Sequence, residues 1–368
     1  MKNIQASSIR VKVVGVGGAG GNALVRMLNG GLRGAEVIAL NTDVQALRML
    51  NGIHSFAIGP NATKGLGSGG HPDAGRKAVR ESSEQIATLL QGFDMVFITA
   101  GMGGGTGTGA SAVVADIARK QGALTVGVVT LPFSFEGPRR RAIAEQGIYN
   151  LQQKVDTLIT IENDRLLPSL NGDVSFEKAM TAADEVLRQG VQGITDIITV
   201  PGKINVDFAD VKTIMSNGGT AFMAVGHAKG KWAATEAAEM AVSNPLFDGP
   251  LQGASGVLFN VTGGNDLTLA QVHEVAEIIR KTAKPDANVI FGVVQDKKMK
   301  KRVSITLVAT GITSAGAVEE GGANAEGARS GAVASKNVGG PDGVQELLES
   351  VNANGHAMAV VGETRKLI

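Results

Sequence analysis

GGGTGTG, residues 103–109, follows the apolar run DMVFITA (94–100) and opens a helical run that reaches Lys120. A strand that enters a glycine turn and then a helix leaves several backbone N–H groups unpaired at the positive helix end. Glycine lets that backbone approach an anion closely, and Thr106 and Thr108 add hydroxyl donors. A tight strand–helix turn needs fewer glycines than five in seven residues, so Gly103, Gly104, Gly105, Gly107 and Gly109 point to a bound phosphate.

Two more glycine clusters extend this reading. GVGGAG (15–20) lies between the strand IRVKVVGV (9–16) and a helix that runs to about Leu28, and GLGSGG (65–70) precedes a helix spanning Pro72 to about Leu90. Three such turns on one sheet can surround a triphosphate. GVGGAG also matches the dinucleotide fingerprint GxGxxG, which wants an acid at the end of the second strand. Asn41 holds that place and Asp43 follows it, so a nicotinamide-dependent Rossmann oxidoreductase using Gly15–Gly20 stays as the alternative. A GxxxxGK[ST] loop is absent from the sequence, which excludes the P-loop classes.

Strands at 35–40, 53–58, 94–100, 123–131 and 156–161 alternate with helices, the pattern of a mostly parallel, doubly wound sheet. Residues 174–199 read as one long helix with apolar Val186, Leu187, Val191, Ile194, Ile197 and Ile198, ended by Pro201. Strands at 220–228, 256–263, 288–295 and 302–310, with helices near 231–243 and 268–283, form a smaller α+β unit. The expected organisation is a nucleotide-binding domain over 9–173, a connecting helix over 174–200, an α+β domain over 201–311, a Gly/Ala-rich flexible linker over 312–341 and a tail over 342–368.

Composition narrows the classes. Lys plus Arg number 35 against 34 acids, so charge gives no reason to expect nucleic acid or an anionic membrane as partner. One Trp and one Tyr weaken any base-stacking platform. No apolar run spans a bilayer, so no direct membrane insertion is expected, and the start MKNIQASSIR carries no export signal. Cysteine is absent and the five histidines lack metal spacing, which fits a cytoplasmic protein with no protein-held metal.

Two acidic features are open from the residues alone. Asp184 reads as a solvated helix residue. Asp207 and Asp210, three apart in NVDFADV (205–211), read as N-terminal helix acids.

KVVGVGGAGGNA (12–23), LNTDVQAL (40–47), TKGLGSGG (63–70), AGMGGGTGTGA (100–110), PFSFEG (132–137), ENDRLL (162–167), ADEVLRQGVQGI (183–194) and NVDFADV (205–211) resemble, in order and spacing, the bacterial tubulin-like cell-division family FtsZ. The resemblance covers about residues 9–311. It implies an α/β fold of the tubulin/FtsZ type, in which a doubly wound parallel-sheet GTPase domain is joined by a long central helix to a smaller α+β domain. It also implies a GTPase that polymerises head-to-tail into the division ring at mid-cell, with GTP or GDP bound and Mg²⁺ held through the phosphates.

Roles follow residue by residue from the resemblance. Gly18, Ala19, Gly20, Gly21 and Asn22, Gly69 and Gly70, and the loop from Gly103 to Gly109 would hold the phosphates. Glu136 and Arg140 would bind the ribose and neighbouring groups, and Asn163 and Asp184 the guanine edge. A carboxylate suits guanine because it accepts from both N1–H and the 2-amino group, a donor pair that adenine lacks. Asp207 and Asp210 would polarise the water that attacks the neighbouring subunit's γ-phosphate, with Asn205 supporting the loop. Met180 stands where the family usually has Phe, and His71 where Asn is common. The family's DIPxFLR-like docking peptide has no counterpart in PDGVQELLESVNANGHAMAVVGETRKLI, which leaves tail-mediated docking of division-ring accessory proteins without a motif.

Overall fold

The computed structural model of the protein describes residues 9–169, 175–200, 202–244 and 253–312. The expected linker and tail, apart from Ile312, lie outside the described residues, as does Pro201.

Six strands of the first half are β1 (Val11–Val16), β2 (Glu36–Asn41), β3 (His54–Ala57), β4 (Met95–Gly101), β5 (Leu124–Leu131) and β6 (Thr157–Glu162). They pair in parallel in the order β3-β2-β1-β4-β5-β6. Helices cross over between them: α1 (Gly17–Asn29), α2 (Val44–Arg48), α3 (Pro60–Thr63), α4 (Pro72–Glu81), α5 (Ser83–Leu90), α6 (Thr106–Lys120) and α7 (Pro138–Gln152). Because helices cover both faces, β1 is buried along its whole length. Its side chains alternate between two cores. Val11 and Val13 join Leu24 and Met27 of α1, while Val14 and Val16 join Val114 and Ala118 of α6.

The long helix is α8 (Phe176–Thr199), which buries Leu187, Val191, Ile194 and Ile197 against the first core. It leads to α9 (Phe208–Met215) and then to β7 (Gly219–Lys229), α10 (Ala233–Val242), β8 (Gly256–Gly263), α11 (Leu269–Thr282), β9 (Asn288–Gln295) and β10 (Arg302–Thr310). β10 lies antiparallel between β7 and β8, and β8 pairs in parallel with β9. Thr157, Leu158 and Ile159 of β6 register in parallel with Gly219, Thr220 and Ala221 of β7, so one ten-stranded sheet runs through both halves.

Local chemistry sharpens two boundaries. The expected helix over 72–90 is broken at Ser82, whose buried hydroxyl accepts the Gly59 N–H at 3.0 Å. α1 begins at Gly17, so most of GVGGAG is the first helical turn and not a loop before it.

Candidate functional site

The glycine clusters converge. β1 and β4 are parallel neighbours, so the turns after them, Gly17–Asn22 and Gly103–Gly109, emerge side by side at their carboxyl ends. Close packing explains several glycines. A Cβ on Gly20 would stand 2.6 Å from the Thr99 carbonyl oxygen, and one on Gly107 2.7 Å from that of Gly101. A Cβ on Gly105 would stand 2.7 Å from the His71 nitrogen and 3.0 Å from the Gly70 carbonyl carbon, which places the third loop directly on the second. Gly69 and Gly70, both exposed, take φ of 60° and 77°, a region that favours glycine.

Gly18 and Gly104 are different. Among the described residues, a Cβ at either would meet nothing within 4 Å, and neither has positive φ. Neither protein packing nor backbone conformation requires glycine there.

The threonines of the second loop are tied into the scaffold. Thr108 Oγ1 accepts the Gly103 N–H at 2.9 Å. Thr106 Oγ1 shares hydrogen bonds with Thr42 Oγ1 at 2.6 Å and with Ser68 Oγ at 3.0 Å, linking the end of β2 to both glycine loops. Their first role is therefore to brace the loops.

Beside the glycines lies a cavity of about 320 Å³ whose lining includes Gly18, Ala19, Asn22, Asn163, Met180 and Asp184. Residues far apart in sequence are thus brought to one pocket. Asn163 is 4% exposed, and among the described residues its Oδ1 has no hydrogen-bond partner; the buried Thr99 Oγ1, of a residue lining the same cavity, has none there either. Buried polar atoms without partners are rare, and a cavity lined by two of them fits a polar ligand. Asp184 is 8% exposed, so it is not the solvated residue its helical setting suggested. It forms an ion pair with Arg26 of α1, a residue the sequence reading did not single out. Arg26 stands four residues after Asn22, so helical periodicity on the glycine-rich helix was the available signal.

Glu136 and Arg140 pair at 2.9 Å, and Glu136 Oε1 also accepts the Phe133 N–H at 2.9 Å. The Arg140 side chain packs on Gly103, where a Cβ would stand 2.7 Å from its Cγ. Asp164 accepts the Ser134 N–H at 3.0 Å, which ties PFSFEG to the segment carrying Asn163.

Asp207 and Asp210 are not among these residues. Asp207 occupies the N-cap position of α9, yet its side chain makes no capping hydrogen bond, and both acids are exposed. Asn205 Oδ1 accepts the Gly202 N–H at 2.6 Å. The loop is anchored on β9, because Lys203 donates to the Val293 carbonyl at 2.9 Å and Ile204 bridges the same residue. β9 lies seven strand steps from β1, roughly 30 Å at the usual spacing.

Among the described residues, no group of three or more His, Cys, Asp or Glu is placed to hold a metal ion. Nor is any helix there long and apolar enough to cross a membrane.

Glycine turns at the carboxyl ends of adjacent parallel strands, opening on a cavity with unpaired polar atoms, define a nucleotide-binding α/β protein. The family model for the Tubulin/FtsZ family GTPase domain matches residues 10–171, and that for the FtsZ family C-terminal domain matches residues 219–313. The chain is 44% identical to the FtsZ of M. jannaschii, solved as an empty dimer, with a TM-score of 0.80 over 84% of this chain and 90% of that one. A point mutant of the same M. jannaschii FtsZ matches at 44% identity and TM-score 0.80, over 84% and 92% of the two chains. A GTPγS-bound protofilament of CetZ2 from Haloferax volcanii shares the fold, with a TM-score of 0.71 at 20% identity over 83% and 94%. The chain belongs to the FtsZ family of tubulin-like, self-assembling cytoskeletal GTPases. The dehydrogenase reading of Gly15–Gly20 gains no support from these relatives, and Asp43, its candidate acid, caps α2 by accepting the N–H groups of Gln45 and Ala46.

Proposed function

We propose that this chain binds GTP in the cavity between α1 and α8, adds head-to-tail to further copies of itself, and hydrolyses GTP at the joint, building the division ring of a dividing cell. The observation that carries the nucleotide assignment is the pair of unpacked glycines, Gly18 and Gly104, set on neighbouring turns. Their missing side chains are explained if phosphates approach the backbone there. Ala19, Gly20, Gly21, Asn22, Gly69, Gly70 and the remaining residues of 103–109 complete the cradle.

Asn163 and Asp184 read the base, while Glu136 and Arg140 hold the ribose side. Mg²⁺ arrives as the Mg–GTP complex and is held through the phosphates, the usual arrangement for this ion. The protein's task is then positioning and charge stabilisation, which is most of what phosphoryl transfer requires.

A single subunit lacks part of this machinery. From Asp184 to Thr199 the helix rises about 22 Å, and the acidic loop beyond it sits on the far strand β9. Asp207 and Asp210 then serve the nucleotide of the next subunit, held in place by a loop that Asn205 braces. Exposed Leu66 (80%), within the 65–70 glycine loop, and Phe135 (64%), in PFSFEG, suit a face that a second copy covers. The solved FtsZ dimer of M. jannaschii is a precedent for self-association. Accessory proteins of the ring and a place at mid-cell belong to the same proposal.

The test is light scattering recorded together with phosphate release. With Mg–GTP, scattering should rise and phosphate should follow; with GDP neither should occur. Phosphate release without any assembly would sink the reading.

A further inference from the structure

Arg26 and Asp184 form the first rung of a polar ladder between α8 and the end of α1 with the turn that follows it. Asp184, Arg188, Gln192 and Asp196 recur every fourth residue along one side of α8. Arg26 pairs with Asp184. The Arg188 side chain crosses Gly30, where a Cβ would stand 2.8 Å from its Nε. Gln192 Oε1 accepts the Arg33 N–H at 3.0 Å, and Asp196 lies 3.6 Å from Arg33 Nε. These contacts fix the register of α8 against the helix whose first turn carries the phosphate-binding glycines. Gly18 and Arg26 are eight residues apart, about 12 Å along the helix, a span that suits a nucleoside with its first phosphates.

We infer that Arg26 is a positioning residue for guanine recognition: it holds the Asp184 carboxylate ionised and oriented at the base end of the cavity. The inference rests on the assignment of Asp184 to the base. A carboxylate with 8% exposure is costly to ionise without a cation at hand, and Arg26 supplies that cation. The ionised group only accepts hydrogen bonds, which is what the N1–H and 2-amino donors of guanine need. Pairing with a planar guanidinium also restricts rotation of the carboxylate, which the point charge of lysine does less well. Arg26 itself lines the cavity, and its guanidinium carries N–H donors beyond those facing Asp184.

Inosine triphosphate provides the probe, because it keeps N1–H and O6 and lacks only the 2-amino group. Competition binding on the full chain should show a clear wild-type preference for GTP over ITP. In Arg26→Met, GTP affinity should fall roughly tenfold or more while ITP falls less, so that the preference collapses toward unity. Arg26→Lys should retain an intermediate preference. A purely structural role predicts equal losses for both nucleotides with the preference intact, and that result overturns the inference. So does tighter GTP binding by Arg26→Met, which would make Arg26 a competitor for Asp184. If Arg26→Met does not fold, Arg26→Lys decides: a severalfold lower preference supports the inference, and an undiminished one overturns it. A wild-type protein that does not distinguish GTP from ITP and ATP refutes the Asp184 assignment itself, a different result from either of these.

Discussion

Ile204 forms an antiparallel bridge with Val293, and Val293 in turn donates its N–H to the Ile204 carbonyl at 3.1 Å. This joint clamps the acidic loop to β9, while the glycine turns leave β1 and β4 on the other side of the sheet order. The separation of glycines from acids is therefore built into a hydrogen-bonded sheet. Asp207 and Asp210 cannot swing across to the glycine turns of their own subunit without breaking it.

The proposed base recognition by Asp184 has a chemical signature. In Asp184→Asn one acceptor oxygen becomes an NH₂ donor, which faces the guanine 2-amino group donor to donor. GTP affinity should drop by roughly 10- to 100-fold. Xanthosine triphosphate, whose C2 carbonyl accepts from the new NH₂, should become the better ligand. Competition binding with both nucleotides checks this, and an unchanged GTP preference contradicts it.

Gly104 and Gly105 should respond differently to alanine. At Gly104 a Cβ meets nothing within 4 Å, so Gly104→Ala should keep the wild-type melting temperature and yet weaken GTP binding. At Gly105 the Cβ would run into Ser68 and the backbone at Gly70 and His71, so Gly105→Ala should cost about 1–3 kcal/mol of stability as well as GTP affinity. Thermal melts with and without GTP separate the two. Equal loss of stability in both variants would show that Gly104 is a packing glycine.

Asp196 sets a pH dependence of known sign. Burial pushes its carboxyl up from the ordinary value, and Arg33 and Gln192 offset this only in part. The native state then binds this proton more tightly than the unfolded chain does, so the residue costs stability at neutral pH. That cost disappears as pH falls through the raised value. Asp196→Asn should be at least as stable as wild type at pH 7, with the difference narrowing toward the ordinary carboxylate range. Melting temperatures across that range would contradict the account if the variant were the less stable one at neutral pH and the deficit grew with pH.

What the sequence disclosed, and what it hid, divides by the range of the interaction involved. Strands such as VKVVGV and MVFITAG and the glycine turns after them are local signals, and they were legible. The burial of Asp184 was not, because a lone acid on a helix carries no sign of what packs over it. Arg26 escaped for the same reason, although its i, i+4 relation to Asn22 placed it on the correct side of α1. The β6–β7 pairing joins strands separated by α8 and α9, and hydrophobic periodicity says nothing of such partners. At the break, Ser82 accepts a hydrogen bond from Gly59, twenty-three residues away, a contact that periodicity does not reveal. Of Asp207 and Asp210, the sequence offered helix capping as the plain reading. The absence of a capping bond from Asp207 leaves that carboxylate free for another task.

The central claim is that each GTP is hydrolysed by two subunits, and complementation measures this most directly. Asp210→Ala keeps the glycine cradle but lacks the acid, while Gly105→Ala is impaired in the cradle and keeps Asp207 and Asp210. Phosphate release is recorded for each variant alone, for their equimolar mixture, and for wild type from dilute monomer to polymer. The account predicts slow turnover by either variant alone, recovered turnover in the mixture, and a steep rise in wild-type turnover per subunit with concentration. A mixture no faster than the sum of its parts, together with wild-type turnover that stays flat on dilution, would contradict it.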